Sequence, residues 1–379
     1  MRVLVTGGSG FLGNACIEAI HKAHPDWTLY NIDLRPPLEV QKNVHFDTVD
    51  LTSRQGSQNL ITKINPDAII HTAGWVPGGQ DRYSTDKKLR ARVFAINVEG
   101  TRNVVEAAKQ TKCRALVHTS SCTVLSDDLN HDYPFMDEGI PIGNATLSYG
   151  ASKAAAEPIV LGANSSTMLT CALRPATIIG PGDTFGVIGA IHKCIAKWET
   201  PFMIGDGDNM YDFVYVTNVA DAHLLALENL LAQFASIPGT PLTGDLTKGL
   251  EEKCGESAAG QAFFISNQEP VYFRDFMLAI WAHFGHVPPF SVKVPDRLAW
   301  FAGFVADVVT WCTGAEPTLS RGSVSDALGT RYSNNAKAQR ILGYVPRIGF
   351  VDAVELACED YARVLRMRDT KDESQRLPN

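Results

Sequence analysis

The stretch Met1–Gly13, MRVLVTGGSGFLG, decides the fold. Arg2 to Thr6 is a short apolar run that predicts a strand. Gly7, Gly10 and Gly13 follow as a G-x-x-G-x-x-G turn, and Asn14 to Ala23 carries the pattern of the helix that the turn opens. Such a turn lets a pyrophosphate approach bare backbone N–H groups at a helix N-terminus, where the peptide dipole favours negative charge. Glycines at this spacing occur by chance, but between a strand and a helix they become a nucleotide-binding signal. The bland alternative is a tight turn without a ligand. With a strand beginning at residue 2, no signal peptide is expected.

The second strand supports the nucleotide. Trp27 to Asp33 (WTLYNID) ends in an acid about twenty residues past the last glycine, where a carboxylate reaches both ribose hydroxyls of an adenosine. Asp33 therefore points to NAD, because the 2′-phosphate of NADP would face a like charge. Arg35 softens that repulsion, which leaves NADP as the less favoured cofactor. Read blandly, Asp33 is a solvated turn acid.

Composition sets the bounds. A chain of 379 residues holds one large or two modest domains and a sizeable core. A formal net charge of −7 and the lack of basic clusters argue against a nucleic-acid partner. The eight cysteines are scattered, mostly in apolar runs, with no C-x-x-C pair. They read as buried thiols of a reducing, cytoplasmic compartment, with neither a disulfide frame nor a zinc site.

Strand patterns at 2–6, 28–33, 44–49, 67–73, 113–120 and 168–174 alternate with helical ones at 11–23, 53–64, 90–110 and 149–162. This alternation predicts an α/β fold, a doubly wound parallel (Rossmann) sheet covered on both faces. The rhythm breaks near Pro181. A smaller mixed α/β C-terminal substrate lobe is expected over 186–365, interleaved with an NAD-binding domain over 1–185. Val214 to Val219 and Ala262 to Ile265 still read as strands, which returns the chain to the main sheet near 213–235 and 262–266. Ser236 to Gly260 reads as a surface insertion and 367–379 as a flexible tail. The longest apolar stretch, Leu298 to Cys312, carries Asp307 and falls short of the ~20 residues a bilayer requires. Aromatics at helical spacing make it a core or amphipathic helix first. Peripheral membrane contact through Trp300, Phe301, Phe304 and Trp311 is the alternative.

The chemistry is expected at Tyr149 and Lys153 (YGASK), four residues apart on one helix face. A free phenol titrates near ~10, and a fixed ammonium beside it moves that value towards working pH. Y-x-x-x-K alone is a weak match, equally read as a surface pair. Upstream, Leu116 to Val124 (LVHTSSCTV) is a strand that runs into Ser120 and Ser121. Strand ends of an open α/β sheet face the ligand crevice, and a serine hydroxyl there steadies a reacting oxygen. Its place before Thr123-Val124 favours Ser121, with Ser120 as the fallback. His71 and His118 read as satisfied core histidines, and no metal-ligand cluster is seen.

These residues resemble a family. The chain is similar to the extended short-chain dehydrogenases/reductases and, more closely, to the 3β-hydroxysteroid dehydrogenase/isomerase group, including the decarboxylating sterol-4α-carboxylate 3-dehydrogenases. The likeness runs through TGGSGFLG (6–13), NIDLRPP (31–37), FAINVEGTRNVVEAA (94–108), SYGASKAAAE (148–157) and LRPATIIGPGD (173–183). It continues in YDFVYVTNVADAHLLA (211–226), GQAFFISNQEPVYFRDF (260–276) and RYSNNAKAQRILGYVPRIGFVDAV (331–354). The resemblance implies Ser121, Tyr149 and Lys153 as the catalytic set, with Tyr149 the proton acceptor. It implies Gly7, Gly10, Phe11, Leu12, Gly13, Asp33, Asp50, Leu51, Ala73 and Pro175, with Tyr149 and Lys153, as the NAD-binding set. Asn97 would be structural or part of a proton relay.

The implied reaction is NAD-dependent oxidation of a 3β-hydroxyl on a lipophilic sterol- or triterpenoid-like substrate, with loss of a C4 carboxylate as CO2 as an added step. A homodimer is common in this superfamily, and the surface of the endoplasmic reticulum is the location the likeness suggests. One departure informs. Sugar-nucleotide relatives carry an Arg before the Asp that matches Asp212, whereas this chain has Tyr211. Loss of that cation, with the apolar Trp75, Val76 and Pro77, argues for an apolar substrate. The other readings are an NADPH-dependent extended reductase acting on a flavonoid or aldehyde, and a non-catalytic nucleotide-binding member.

Overall fold

The computed structural model describes residues 1–39, 41–183, 186–237, 256–313 and 319–376. Seven parallel strands form the main sheet in the order Ala262–Ile265, Leu169–Pro175, Ala115–Thr119, Ala68–His71, Arg2–Thr6, Thr28–Asp33, Val44–Thr48. The winding reverses at Arg2–Thr6, since the next two strands in the chain lie on one side of it and the later four on the other. Loops leaving Arg2–Thr6 and Ala68–His71 diverge at that switch point and open a crevice at the carboxyl ends of the strands.

Strand alternation sets the layers. Val3 and Val5 face Ile17 and Ile20 of helix Phe11–Ala23 and Leu227 and Leu230 of helix Val216–Ala235. Leu4 faces the other way, against Ile61 of Arg54–Ile64, Val104 of Gly100–Ala108 and Val160 of Ser148–Leu161. Each such fully buried side chain contributes roughly 1.5–3 kcal/mol, which anchors the sheet and lets the crevice hold costly buried polar groups. A separate mixed four-stranded sheet is ordered Val271–Tyr272, Met210–Tyr211, Arg331–Ser333, Tyr133–Met136, so it joins a strand from the expected 1–185 region to three from the expected 186–365 lobe.

Several expectations change. Residues 90–110 are not one helix but Lys87–Phe94, a π turn Ala95–Glu99 and Gly100–Ala108. The wide turn coincides with Asn97, whose side chain turns inward to bond the Trp75 backbone. Val214 to Val219 do not rejoin the main sheet as a strand. Phe213–Tyr215 pairs with Thr177–Ile179, and Val216 starts a helix. The β-branched residues there mimic a strand, but burial at Val219, Ala222, Ala226, Leu227 and Leu230 follows the 3.6-residue period. Ala262–Ile265 does close the edge of the main sheet. The tail expected from Met367 continues the helix Phe350–Arg376, begun on the buried Ala353, Ala357 and Cys358, through residues of good helix propensity.

Helix Asp296–Thr313 reverses the core expectation. Its small residues Ala299 and Gly303 face inward, and Leu298, Phe301, Val305 and Val308 face out. Any Cβ at Gly303 would lie 2.9 Å from the Arg321 backbone nitrogen, so close approach selects the small face for packing. Among the cysteines, Cys312 is exposed and Cys194 half-buried, while Cys16, Cys113, Cys122, Cys171 and Cys358 are buried as expected. Cys254, most of the 236–260 insertion and the Trp311 side chain lie outside the described residues. Among the described residues no helix is long and apolar enough to cross a membrane.

Candidate active site

The glycine turn is shaped by close approach. Gly7 has φ +71°, and a Cβ there would meet the Ala73 backbone at 2.8 Å. A Cβ at Gly13 would lie 2.1 Å from the Gly7 carbonyl oxygen. Gly10 caps helix Phe11–Ala23 without a side-chain bond, and its carbonyl takes the first helical bond from Asn14 N–H at 2.9 Å. The amides at the start of the helix, at Phe11, Leu12 and Gly13, precede that bond and suit an anion. One oxygen of Asp33 accepts from Ser9 N–H and the other from Arg35 N–H, each at 3.2 Å, which fixes the carboxylate beside the glycine turn. Asp50 is exposed and holds the backbone and hydroxyl of Thr52. The Leu51 carbonyl is fixed by Asn103. Pro175 ends its strand and accepts the Cys122 N–H at 2.9 Å. At Gly74, a Cβ would stand 3.3 Å from both Lys153 Nζ and Asn97 Oδ1, so two polar groups converge where the backbone has no side chain. Bare glycines at the pyrophosphate end, an acid at the ribose end and this cradle fit a dinucleotide.

The structure brings Ser121, Tyr149 and Lys153 together. Tyr149 and Lys153 share one face of helix Ser148–Leu161, and the Ser121 side chain, which accepts Thr123 N–H at 3.2 Å, stands near enough to favour the phenolate of Tyr149. Ser120 turns away and donates to Glu157 at 2.7 Å, in a buried pair with Arg174. Lys153 Nζ donates to the Thr119 carbonyl at 2.8 Å and lies 6.0 Å from the Tyr149 ring centre. Burial lowers its ammonium to about 8, opposed by Glu157.

The expectation that Lys153 brings the phenol towards neutrality is corrected. Burial pushes Tyr149 well above its ordinary value. The Ser121 hydroxyl opposes this, Asp127 and Cys122 push further up, and Arg82 pulls down.

His71 is satisfied by Thr6 at 2.6 Å and Thr101 at 2.9 Å. His118 is not: both ring nitrogens are buried without a partner, and the ring stacks on His71 at 5.2 Å. Burial and the Lys153 charge hold it far below its ordinary value, hence neutral. Trp75 is half-buried under the Arg92 guanidinium at 4.5 Å, and Asn97 also donates to Ser152 at 2.9 Å.

A charged network below Tyr149 escaped sequence reasoning. Asp127 accepts Gly150 N–H and Arg82 Nη2, each at 2.8 Å. Arg82 Nε reaches Asp326 at 3.3 Å, and Tyr83 donates to the same carboxylate at 2.8 Å. The Tyr211 hydroxyl donates to the Asp326 carbonyl and accepts from Arg331 at 2.7 Å. A cation thus does stand beside Tyr211, supplied by Arg331, but it is buried and paired with Asp326. No short motif marks these residues, and only the acid pair Asp127-Asp128, shortly after Ser121, offered a local sign.

A doubly wound sheet with a glycine turn at its switch point, and a Ser–Tyr–Lys group beside it, defines the extended short-chain dehydrogenase/reductase class. UDP-glucose 4-epimerase of Thermotoga maritima, solved with UDP-glucose, shares this fold with a TM-score of 0.70 at 17% identity, over 96% of this chain and 100% of that one. So does dTDP-glucose 4,6-dehydratase of Bacillus anthracis in complex with NAD, at 0.66 and 16%, over 96% and 97%. The profile of the 3-beta hydroxysteroid dehydrogenase/isomerase family matches residues 4–296. Sterol-4-alpha-carboxylate 3-dehydrogenase, decarboxylating, of Saccharomyces cerevisiae is 33% identical over 93% of this chain and 95% of its own length. The 3beta-hydroxysteroid-dehydrogenase/decarboxylase isoform 1 of Arabidopsis thaliana is 32% identical over 98% of this chain and 82% of its own. The chain belongs to the 3-beta hydroxysteroid dehydrogenase/isomerase family. It is therefore an oxidoreductase, with a nicotinamide dinucleotide as its cofactor class.

Proposed function

We propose that this chain oxidises the 3β-hydroxyl of a lipophilic sterol- or triterpenoid-like substrate to the 3-ketone with NAD⁺, and that a carboxylate at C4 leaves as CO2. The observation that carries this reading is Tyr149 with Lys153 on one helix face and Ser121 beside them, in a chain a third identical, almost end to end, to decarboxylating 3-dehydrogenases.

NAD⁺, held by the glycine turn and Asp33, would supply the hydride acceptor for the hydrogen at C3. Ser121 holds the substrate hydroxyl, and Tyr149 takes its proton at Oη. Lys153 orients the nicotinamide ribose and keeps a cation near the phenolate, with Asn97 close by. Asp127 fixes the turn that carries Tyr149. The Asp33 carboxylate, already bonded to two amides, favours NAD over NADP because a 2′-phosphate would add a like charge. The product of oxidation is a β-keto acid. Its C4–carboxyl bond breaks with the electron pair moving into the C3 carbonyl, CO2 leaves, and the enolate takes a proton at C4. No protein nucleophile is needed.

The test is a panel of 3β-alcohols, with and without a 4-carboxyl group, followed by NADH absorbance and product mass. NADH formation with a product lighter by CO2 is expected from the carboxylated members. Turnover confined to flavonoid or aldehyde substrates with NADPH would replace this reading.

A further inference from the structure

We infer that Glu157 is a positioning residue for the proposed oxidation: its buried carboxylate is the counter-charge that keeps Lys153 an ammonium beside Tyr149. The inference rests on the proposed function, which asks Lys153 for a cation near the phenolate, and it names the group that maintains that cation.

Tyr149, Lys153 and Glu157 stand four residues apart along helix Ser148–Leu161, so all three line one face. Consecutive residues at the end of strand Ala115–Thr119 meet that face. Lys153 Nζ donates to the Thr119 carbonyl at 2.8 Å, and the next residue, Ser120, donates its hydroxyl to Glu157 at 2.7 Å. Ser121, the residue after, acts on Tyr149. In strand Leu169–Pro175, the Leu173 carbonyl accepts Ser120 N–H at 2.7 Å and the Pro175 carbonyl accepts Cys122 N–H at 2.9 Å. Arg174, between them, reaches Glu157 through Nε at 3.0 Å and Nη2 at 2.6 Å. Two strands and the helix therefore converge on one carboxylate.

A carboxylate is a costly choice for this place. Glu157 is 1% exposed and Lys153 3%. The ion pair with Arg174 is incompletely satisfied, since Arg174 Nη1 is buried without a partner among the described residues. Apolar side chains could join the same strands without taking ions out of water. What they could not supply is negative charge. Lys153 forms no ion pair among the described residues, and burial disfavours its ammonium. Glu157 opposes that burial through space, and the low polarity between two buried groups carries the charge without contact.

The other titratable groups packed here leave the task to Glu157. His71 and His118, on the neighbouring strands, are held neutral by burial and by the Lys153 charge itself. Tyr149 is pushed up by burial. Arg174 faces Glu157 from strand Leu169–Pro175, and Glu138 and Lys337 act on Arg174 in turn.

The experiment is the pH profile of kcat for the full chain with saturating NAD⁺ and a 3β-alcohol. Glu157→Gln should move the basic limb, where Lys153 loses its proton, down by about one pH unit, a loss of about tenfold in kcat above it. Glu157→Asp keeps the charge and should bring the limb most of the way back. Ser120→Ala removes a bond but no charge and should leave the limb in place. Glu157→Gln/Arg174→Met removes the ion pair as a whole, so it serves where the single variant fails to fold, and its limb should move as far. A basic limb at the wild-type pH in a folded Gln variant overturns the inference and leaves Glu157 a structural residue. Carbon NMR titration of the lysine Cε, with the Lys153 signal assigned by Lys153→Met, reads the same proton without turnover. That signal should titrate at lower pH in the Gln variant, and an unmoved signal overturns the inference. A signal that moves in a protein that oxidises no 3β-alcohol would sink the proposed reaction and leave the counter-charge intact.

Discussion

Asp127 accepts the backbone N–H of Gly150 at 2.8 Å, so a buried carboxylate holds the first turn of the helix that carries Tyr149. Its other oxygen takes Arg82, and Arg82 continues to Asp326 in helix Arg321–Leu328. Two stretches of chain some two hundred residues apart are thereby tied to the residue next to Tyr149.

Asp127→Asn keeps the shape and removes the charge. Negative charge near a phenol raises its pKa, and Asp127 pushes Tyr149 upward while Arg82 opposes. The variant should therefore move the acid limb of the kcat/KM–pH profile to lower pH. It should also cost about 1–3 kcal/mol in denaturant stability, since a buried hydrogen-bonded charge pair is broken. An unmoved limb with only lower stability would leave Asp127 a structural residue.

Tyr149→Phe should lower turnover by roughly 10²–10⁴-fold, the ordinary worth of a positioned acid–base group. NAD affinity, measured by fluorescence titration, should change little, because the fitted dinucleotide end is built from Gly7, Gly13 and Asp33. Activity within tenfold of wild type would withdraw the proton-transfer role.

The adjacent serines should fail in different ways. Ser121→Ala removes the hydroxyl that favours the Tyr149 phenolate and should lower kcat. Ser120→Ala removes the buried donor to Glu157 and should cost about 1–3 kcal/mol of stability with kcat nearly kept. The reverse pattern would exchange the two roles.

What the sequence reveals here is what contacts of short span create. The glycine turn, the acid at Asp33 and the Tyr149–Lys153 spacing are local patterns, and the sheet follows from strand–helix alternation. Arg82 meets Asp326 across more than two hundred residues, and neither residue sits in a motif that announces the other. Periodicity at 298–312 marks an amphipathic helix, yet which face packs was decided by backbone approach at Gly303, a property of its partner. Strand-like β-branched residues at 214–219 were overruled by tertiary packing. The solitary His118 is invisible to any pattern, because its lack of partners depends on every element around it.

If Asp33 meets the ribose hydroxyls as proposed, Asp33→Ala should weaken NAD more than NADP, because that carboxylate would repel a 2′-phosphate. Dissociation constants for both dinucleotides decide it. Equal losses would remove the ribose role and reopen the NADPH reading.

Lys153 offers a test through stability. Burial lowers its ammonium to about 8 in the fold, against about 10.5 unfolded. Below pH 8 both states hold the proton, and the fold carries the full penalty of a buried charge. Between 8 and 10.5 the unfolded chain binds more protons than the native one, so this group makes stability rise with pH. Lys153→Met, compared with wild type without cofactor, removes the contribution, which is worth about 3 kcal/mol at most. The variant leaves the Thr119 carbonyl unpaired, which shifts its melting curve by a constant amount. The difference in Tm, variant minus wild type, should therefore be greatest near neutral pH and shrink as the pH climbs through 8. A difference that stays flat from pH 7 to 10 would mean that the ammonium is not held at a depressed pKa, and the account of a lysine strained for its catalytic place would fail.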